Sequence, residues 1–171
     1  SDIAGLNSVK SSLNNAISSS DVALAAGSAV SDLLIDLKEK AVKAADPGLD
    51  DASRLALNDE FVALRDQITS TVNSASFNDK NALKSGGDTI TALVGADGEG
   101  SITIEAQDLS LGGANVTLTG SSDIRTTANA EAAVAAIEDS IGNVSDALAA
   151  IGSGAVQLQQ TKEFTETLQS K

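Results

Sequence analysis

Cysteine, histidine, tryptophan, tyrosine and methionine are all missing from this 171-residue chain. Without Cys and His there can be no disulfide, thiolate nucleophile, Cys/His metal site or His-based catalytic triad. Phe61, Phe77 and Phe164 are the only aromatic residues, which nearly removes stacking on sugars or bases as a mode of binding. Basic residues are scarce, with 11 Lys and Arg against 24 Asp and Glu and a formal net charge of −13. That balance disfavours nucleic acid and anionic membrane surfaces, both of which need a basic face. No stretch approaches the ~18 apolar residues of a membrane span. Ser1–Lys10 does not read as a secretory leader, having neither a basic start nor an apolar run. Any chemistry would have to rest on carboxylates, hydroxyls, Lys or Arg.

What remains is rich in Ala, Leu, Ile and Val at helical spacing. Leu6, Val9, Leu13, Ala16, Ser20, Ala23, Gly27, Val30, Leu34, Leu37, Ala41 and Ala44 follow a heptad rhythm, and only Ser20 and Gly27 interrupt its apolar character. The pattern predicts a helix over 3–45, about 65 Å long at 1.5 Å per residue. The only proline, Pro47, and Gly48 after it end that helix. Asp50 or Asp51 is placed to cap a second one, whose apolar stripe is Leu57, Phe61, Leu64, Ile68 and Val72. The short connection predicts an antiparallel helical hairpin.

After Phe77 the period changes to two. "TITALV", "SITIEA" and "NVTLT" read as three half-buried strands, separated by Gly86-Gly87, Asp97-Gly98-Glu99-Gly100 and Gly112-Gly113. Helical spacing returns with Val134, Ile137, Ile141, Val144, Leu148, Ile151, Ala155 and Leu158, behind a cap at Thr126 or Thr127. The fold class expected is mainly α with a small β-region: long antiparallel helices forming a rod, with inserted β-hairpins. The expected division of this single domain is a helical hairpin over 1–76, a β-hairpin insertion over 77–125, and a returning helix over 126–171. Neither terminal helical pattern carries a stop signal, which predicts that both helices run further.

The acidic, glycine-rich stretch "VGADGEGSITIEAQDLSLGG" (Val94–Gly113) resembles a site at first sight. A calcium loop needs six or more converging oxygens, and Asp97 and Glu99 supply two carboxylates without that spacing. Glu105 and Asp108 would be the candidate glycosidase pair, yet no aromatic platform accompanies them. "GSGA" (Gly152–Ala155) lacks the preceding strand and following Lys of a phosphate loop. Turn geometry explains the stretch better, with Asp and Gly at positive φ in a pair of hairpin turns on the rod's outer end. No catalytic residue, cofactor site or metal site is predicted.

The whole plan resembles bacterial flagellin, most closely the alphaproteobacterial type. "LLIDLKEKAVKAAD" (Leu33–Asp46) is similar to the end of that family's first inner-domain helix. "LNDEFVALRDQITSTVNSASFNDKNAL" (Leu57–Leu83) is similar to its second helix and the turn after it, with Glu60, Leu64, Asp66, Ile68, Ser76, Phe77 and Asn78 matching. Asp79 stands where the family has glycine. "AVAAIEDSIGNVSDALAAIGSG" (Ala133–Gly154) resembles the carboxy-terminal helix, although "IGSGAVQLQQ" lacks the family's usual Asn-Arg pair.

The resemblance implies an inner-domain piece of a secreted, extracellular filament subunit without its terminal assembly segments. Its partners would be other flagellin subunits, once those segments are present, and the flagellar export machinery and chaperone; membrane insertion is not implied. Asp36, Lys40, Glu60, Arg65, Phe77 and Asn78 are the candidate subunit-contact or receptor-facing residues. Many flagellins are bound by a Toll-like receptor through an Arg, a Leu and a Glu. The corresponding positions here are Asp36, Lys40 and Glu60, so weak or absent recognition is expected. A hook–filament junction protein and a cell-surface module for an extracellular polysaccharide stay open as alternatives.

Overall fold

The structure, a computed structural model, describes residues 2–171, with the side chain of Asp2 left aside. Two helices of 43 residues dominate it, α1 (Asp2–Ala44) and α3 (Thr127–Gln169). They lie antiparallel. Asn7 of α1 meets Gln169 of α3, Gly27 meets Leu148, and Lys38 meets Glu138, so contacts climb one helix as they descend the other. The shorter α2 (Asp51–Asn73) folds back on α1 after the Pro47–Gly48 turn. Its N-cap is Asp50, whose carboxylate accepts hydrogen bonds from the Ser53 N–H and hydroxyl. These bonds hold the Asp50 carboxyl below its ordinary pKa, the hydroxyl bond contributing most. Thr126 caps α3 in the same way, accepting from Asn129 N–H at 3.0 Å.

The β-region is smaller than the sequence pattern implies. β1 (Ser76–Phe77) and β2 (Lys80–Asn81) form a minimal hairpin around Asn78 and Asp79. Both turn residues sit in the left-handed region, at φ 51° and 64°. That is the two-residue turn favoured by right-twisted strands, and Asn and Asp tolerate it best after glycine. β3 (Ile90–Leu93) and β4 (Ser101–Ile104) form a second antiparallel hairpin. "NVTLT" is not a strand. Leu111 and Val116 make an isolated parallel bridge, and Thr117 N–H donates instead to Ser140 Oγ of α3 at 2.9 Å. Its alternation reflects a segment lying on α3, with Val116 and Leu118 turned inward.

The turn of the second hairpin is also longer than a tight hairpin turn. Seven residues, 94–100, separate its strands. Gly98 and Gly100 carry the positive φ, whereas Asp97 acts through its carboxylate, which accepts the Glu99 N–H. The tip approaches α1 near Gly5, beside Ala96, where Asn7 and Gln169 also meet. It therefore lies where the start of α1 meets the end of α3, opposite Pro47–Gly48. The expectation of an outer-end position is corrected: β3 runs down α1 toward its N-terminus, with Leu93 N–H donating to Ser12 Oγ at 2.8 Å.

One continuous core runs the length of the molecule, from Val9 and Leu13 through Leu34, Leu37, Phe61 and Ile137 to Leu158. In α1 the heptad reading matches the buried face from Val9 to Ala44, and Ser20 and Gly27 are part of that face. In α3 the face is rotated from the one expected. Ile137, Val144, Ile151 and Leu158 are buried as expected, but Ala133, Ser140 and Ala147 are buried in place of Val134, Ile141 and Leu148, which are half-exposed. Small residues win these places because other chain segments come close to them. Ile104 of β4 lies so near Gly154 that an added Cβ would be 2.5 Å from its Cγ1.

Candidate functional site

The second helix carries most of the predicted surface residues, and its inner stripe has an unexpected composition. Positions 54, 58, 61, 65, 68 and 72 follow one heptad line, and half of them are polar: Arg54, Asn58 and Arg65. Each reaches main-chain groups outside α2. Arg54 is buried and donates to the carbonyls of Ala44, Asp46 and Leu49, so it closes the C-terminal end of α1, with Asp51 as its ion-pair partner at 3.2 Å. Asn58 accepts the N–H of Ile124 at 2.9 Å. Arg65 donates to the carbonyl of Ser122 at 2.8 Å, while its Nε holds Asp66.

Arg65 is a candidate contact residue by sequence, yet it points away from solvent. Its side chain is only 11% exposed, and its guanidinium serves the interior of the rod. The spacing from Phe61 and Ile68 carries this signal, because position 65 falls on the same line as those buried residues.

The other candidates fall in two places. Asp36 is exposed on α1, one turn before Lys40. Lys40 crosses to α2 and pairs with Glu60 at 3.1 Å. These three form one charged patch over the α1–α2 seam. The pair is partly open to solvent, so its Coulomb gain is modest and screened by salt. Phe77 and Asn78 lie elsewhere, on the β1–β2 hairpin beside Asn15 and Ser19 of α1. That is roughly 30 Å along the helix from Lys40, at 1.5 Å per residue. Phe77 is half-buried and Asn78 exposed.

Asn81 is a further buried polar residue that sequence patterning passed over. Its amide donates to the Val72 carbonyl, and its oxygen accepts the N–H groups of Leu83 and Lys84. Asp88 completes the arrangement by accepting the Asn81 N–H, which lowers its carboxyl pKa below the ordinary 3.8. Among the described residues, every buried side-chain N or O atom has a partner.

The acids of the glycine-rich stretch act on their own backbone. Asp108 accepts from the Ser110 N–H and hydroxyl and sits under Gly113. Glu105 is exposed at the end of β4. A cleft of about 350 Å³ beside the start of α3 includes Thr119, Ser122, Asp123 and Asn129 in its lining. Its carboxylate, Asp123, is engaged by the Arg125 N–H and the Asn129 amide, the former contributing most to its lowered pKa. Among the described residues, no helix is long and apolar enough to cross a membrane.

Long antiparallel helices, a seam of small residues and hydrogen bonds spent internally define an elongated helical rod. Comparison with known proteins narrows this further. The family described as bacterial flagellin N-terminal helical region matches residues 1–87. The chain is similar to flagellin FljK of Caulobacter vibrioides, 37% identical over 166 residues that cover 97% of this chain and 60% of that protein. Flagellin FljM of the same organism is 37% identical over 164 residues, covering 96% and 59%. The crystal structure of Bacillus cereus flagellin shares the fold, with a TM-score of 0.76 at 23% identity over 88% of this chain and 86% of that one. The chain belongs to the bacterial flagellin family. It spans about three fifths of the length of the Caulobacter relatives named above.

Proposed function

We propose that this chain is the inner rod of a structural subunit of the bacterial flagellar filament, secreted by the flagellar export machinery with its chaperone and assembled outside the cell with further flagellin subunits. It has no catalytic role in this reading. The observation that carries it is family membership together with an antiparallel pair of 43-residue helices. Such helices resist bending and present long repeated faces to neighbours. Residues 1–76 and 126–171 form the rod, and 77–125 is the inserted β-region lying along it.

In this reading the exposed patch of Asp36, Lys40 and Glu60 and the Phe77–Asn78 turn are subunit-contact surfaces. Arg65 supports them from within by holding the segment at Ser122. Toll-like receptor recognition is weak or absent. Asp36 and Lys40 stand where the family's receptor-binding Arg and Leu would be, and Glu60, the retained acid, is already paired with Lys40.

The test is complementation. The gene encoding this chain is expressed in a bacterium lacking its own flagellins, and the cells are viewed by electron microscopy after labelling with antibody to the chain. Labelled filaments support the proposal. Bald cells that export the protein overturn it.

A further inference from the structure

Both long helices carry a Gly-Ser sequence near their middle, Gly27-Ser28 in α1 and Gly152-Ser153-Gly154 in α3. Leu148 seats at Gly27, so the two sequences stand at nearly the same level of the antiparallel pair. Bends in helices concentrate at proline and at Gly/Ser pairs, where the backbone is least restrained. Packing accounts for two of these residues. Gly27 receives Leu148, and Gly154 receives Ile104. Gly152 has no such reason, because an added Cβ there meets nothing within 4 Å. Ser28 and Ser153 are exposed. Alanine at these three positions would make firmer helices, and the fold does without it.

The cover of the helix pair changes at the same level. Lys40 faces Glu60 across the α1–α2 seam, and Asn73 lies as far beyond Glu60 as Gly27 lies before Lys40. The end of α2 is therefore level with Gly27. Both hairpins lie past that level, β1 and β2 beside Asn15 and Ser19, and Ile104 of β4 on Gly154. Between α2 and the hairpins, Leu109 stands beside Gly27, and it belongs to a segment outside the helices and strands. Among the described residues, α1 and α3 are thus the only regular elements that cross this level.

We propose that the rod has a built-in flexure here, at which its α2-covered and hairpin-covered halves tilt relative to each other. A bundle is least stiff where the fewest continuous elements cross it. At that section both crossing helices carry the sequence that yields most readily. Leu148 in the Gly27 notch is the pivot. It keeps the helices from slipping lengthwise, so a tilt leaves the contacts of each half in place. Gly152, Ser28 and Ser153 supply the give without loosening either core.

The absence of native cysteine makes the test direct. Spin labels are attached to three double-cysteine forms of the chain, all at exposed positions. Asp59→Cys with Thr103→Cys spans the level, from α2 to β4. Asp59→Cys with Ala135→Cys lies within the α2-covered half, and Ser11→Cys with Thr103→Cys within the other. Double electron–electron resonance reads the spread of distances in each. The spanning pair gives a broader spread than either of the others. Ser28→Ala, Gly152→Ala and Ser153→Ala together narrow it to their width and leave theirs unchanged. These alanines add no atom against packed neighbours, so the variant melts cooperatively, at or above the parent midpoint. A spanning pair no broader than the other two overturns the proposal, and so does a breadth that survives the three substitutions. Equal narrowing of all three pairs overturns it as well, because that marks a general tightening and not a local flexure.

Discussion

The two halves of the rod are built by different rules. Toward the Pro47–Gly48 turn, α1 and α3 are covered by α2, and the core is large: Leu34, Leu37, Phe61, Ile68 and Ile137 are fully buried. Toward the termini the same two helices are covered by the β3–β4 hairpin, and the helix faces that receive it are small, with Ala16, Ser20 and Ala23 on α1 and Gly154 on α3. Helices meeting helices stand ~8–10 Å apart and need bulky side chains between them. Here Ile104 of β4 meets α3 at Gly154, where an added Cβ would stand 2.5 Å from its Cγ1, and the helix gives the strand room by losing side chain. Small residues in the second half are therefore a fitting surface for the hairpin, even though Ser20 and Gly154 lower helix propensity.

This difference can be broken from either side. Phe61→Ala should be the most destabilising single change, by ~3–5 kcal/mol, because it opens a cavity at a fully buried aromatic. Urea denaturation followed by circular dichroism measures it. Gly154→Leu should act in the other half, forcing Ile104 and its strand outward at ~1–3 kcal/mol. Hydrogen exchange should then show lost protection in β3 and β4 while α2 keeps its own. Uniform loss along the rod would show that the halves are not separable.

Acid should weaken the turns at both ends of α2 and the start of α3. Asp50, Asp88 and Asp123 all have carboxyl pKa values lowered by hydrogen bonds in the folded chain. A lowered folded pKa stabilises the fold above the ordinary value of 3.8 and loses that contribution as pH falls through the folded value. Denaturation midpoints should fall between pH 5 and pH 3, about one unit either side of the ordinary aspartate pKa. Asp88→Asn and Asp123→Asn should flatten that fall.

Smaller effects sharpen the picture further. Asp79→Gly should stabilise the chain by up to ~1 kcal/mol, since Asp79 holds φ 64° at a turn position where glycine carries no Cβ penalty. A rise in thermal midpoint checks this. Lys40→Ala should cost under ~1 kcal/mol, with the difference vanishing in high salt, because Glu60 is well exposed.

The helices were legible because their signal is periodic and redundant: a dozen positions from Leu6 to Ala44 set α1, and Pro47 and Asp50 punctuated it. The rotation of α3's face was not. Hydropathy ranks Val134, Ile141 and Leu148 above Ala133, Ser140 and Ala147, whereas burial is decided by which positions other segments approach. "NVTLT" alternates like a strand, but its Thr117 N–H is satisfied by Ser140 across 23 residues, a pairing no local window contains. Of the candidate surface residues, Asp36, Lys40 and Glu60 do share one patch. Arg65 turned inward because its partner, the Ser122 carbonyl, lies 57 residues away.

The central claim is that this rod, held as described, is what neighbouring filament subunits pack against. A cryo-electron microscopy map of the labelled filaments at side-chain resolution tests it most directly. The account predicts α1, α2 and α3 in the same antiparallel arrangement, with Asp36, Lys40, Glu60 and the Phe77–Asn78 turn against adjacent subunits. Filaments in which those residues all face solvent, or whose rod has a different helix pairing, would contradict it.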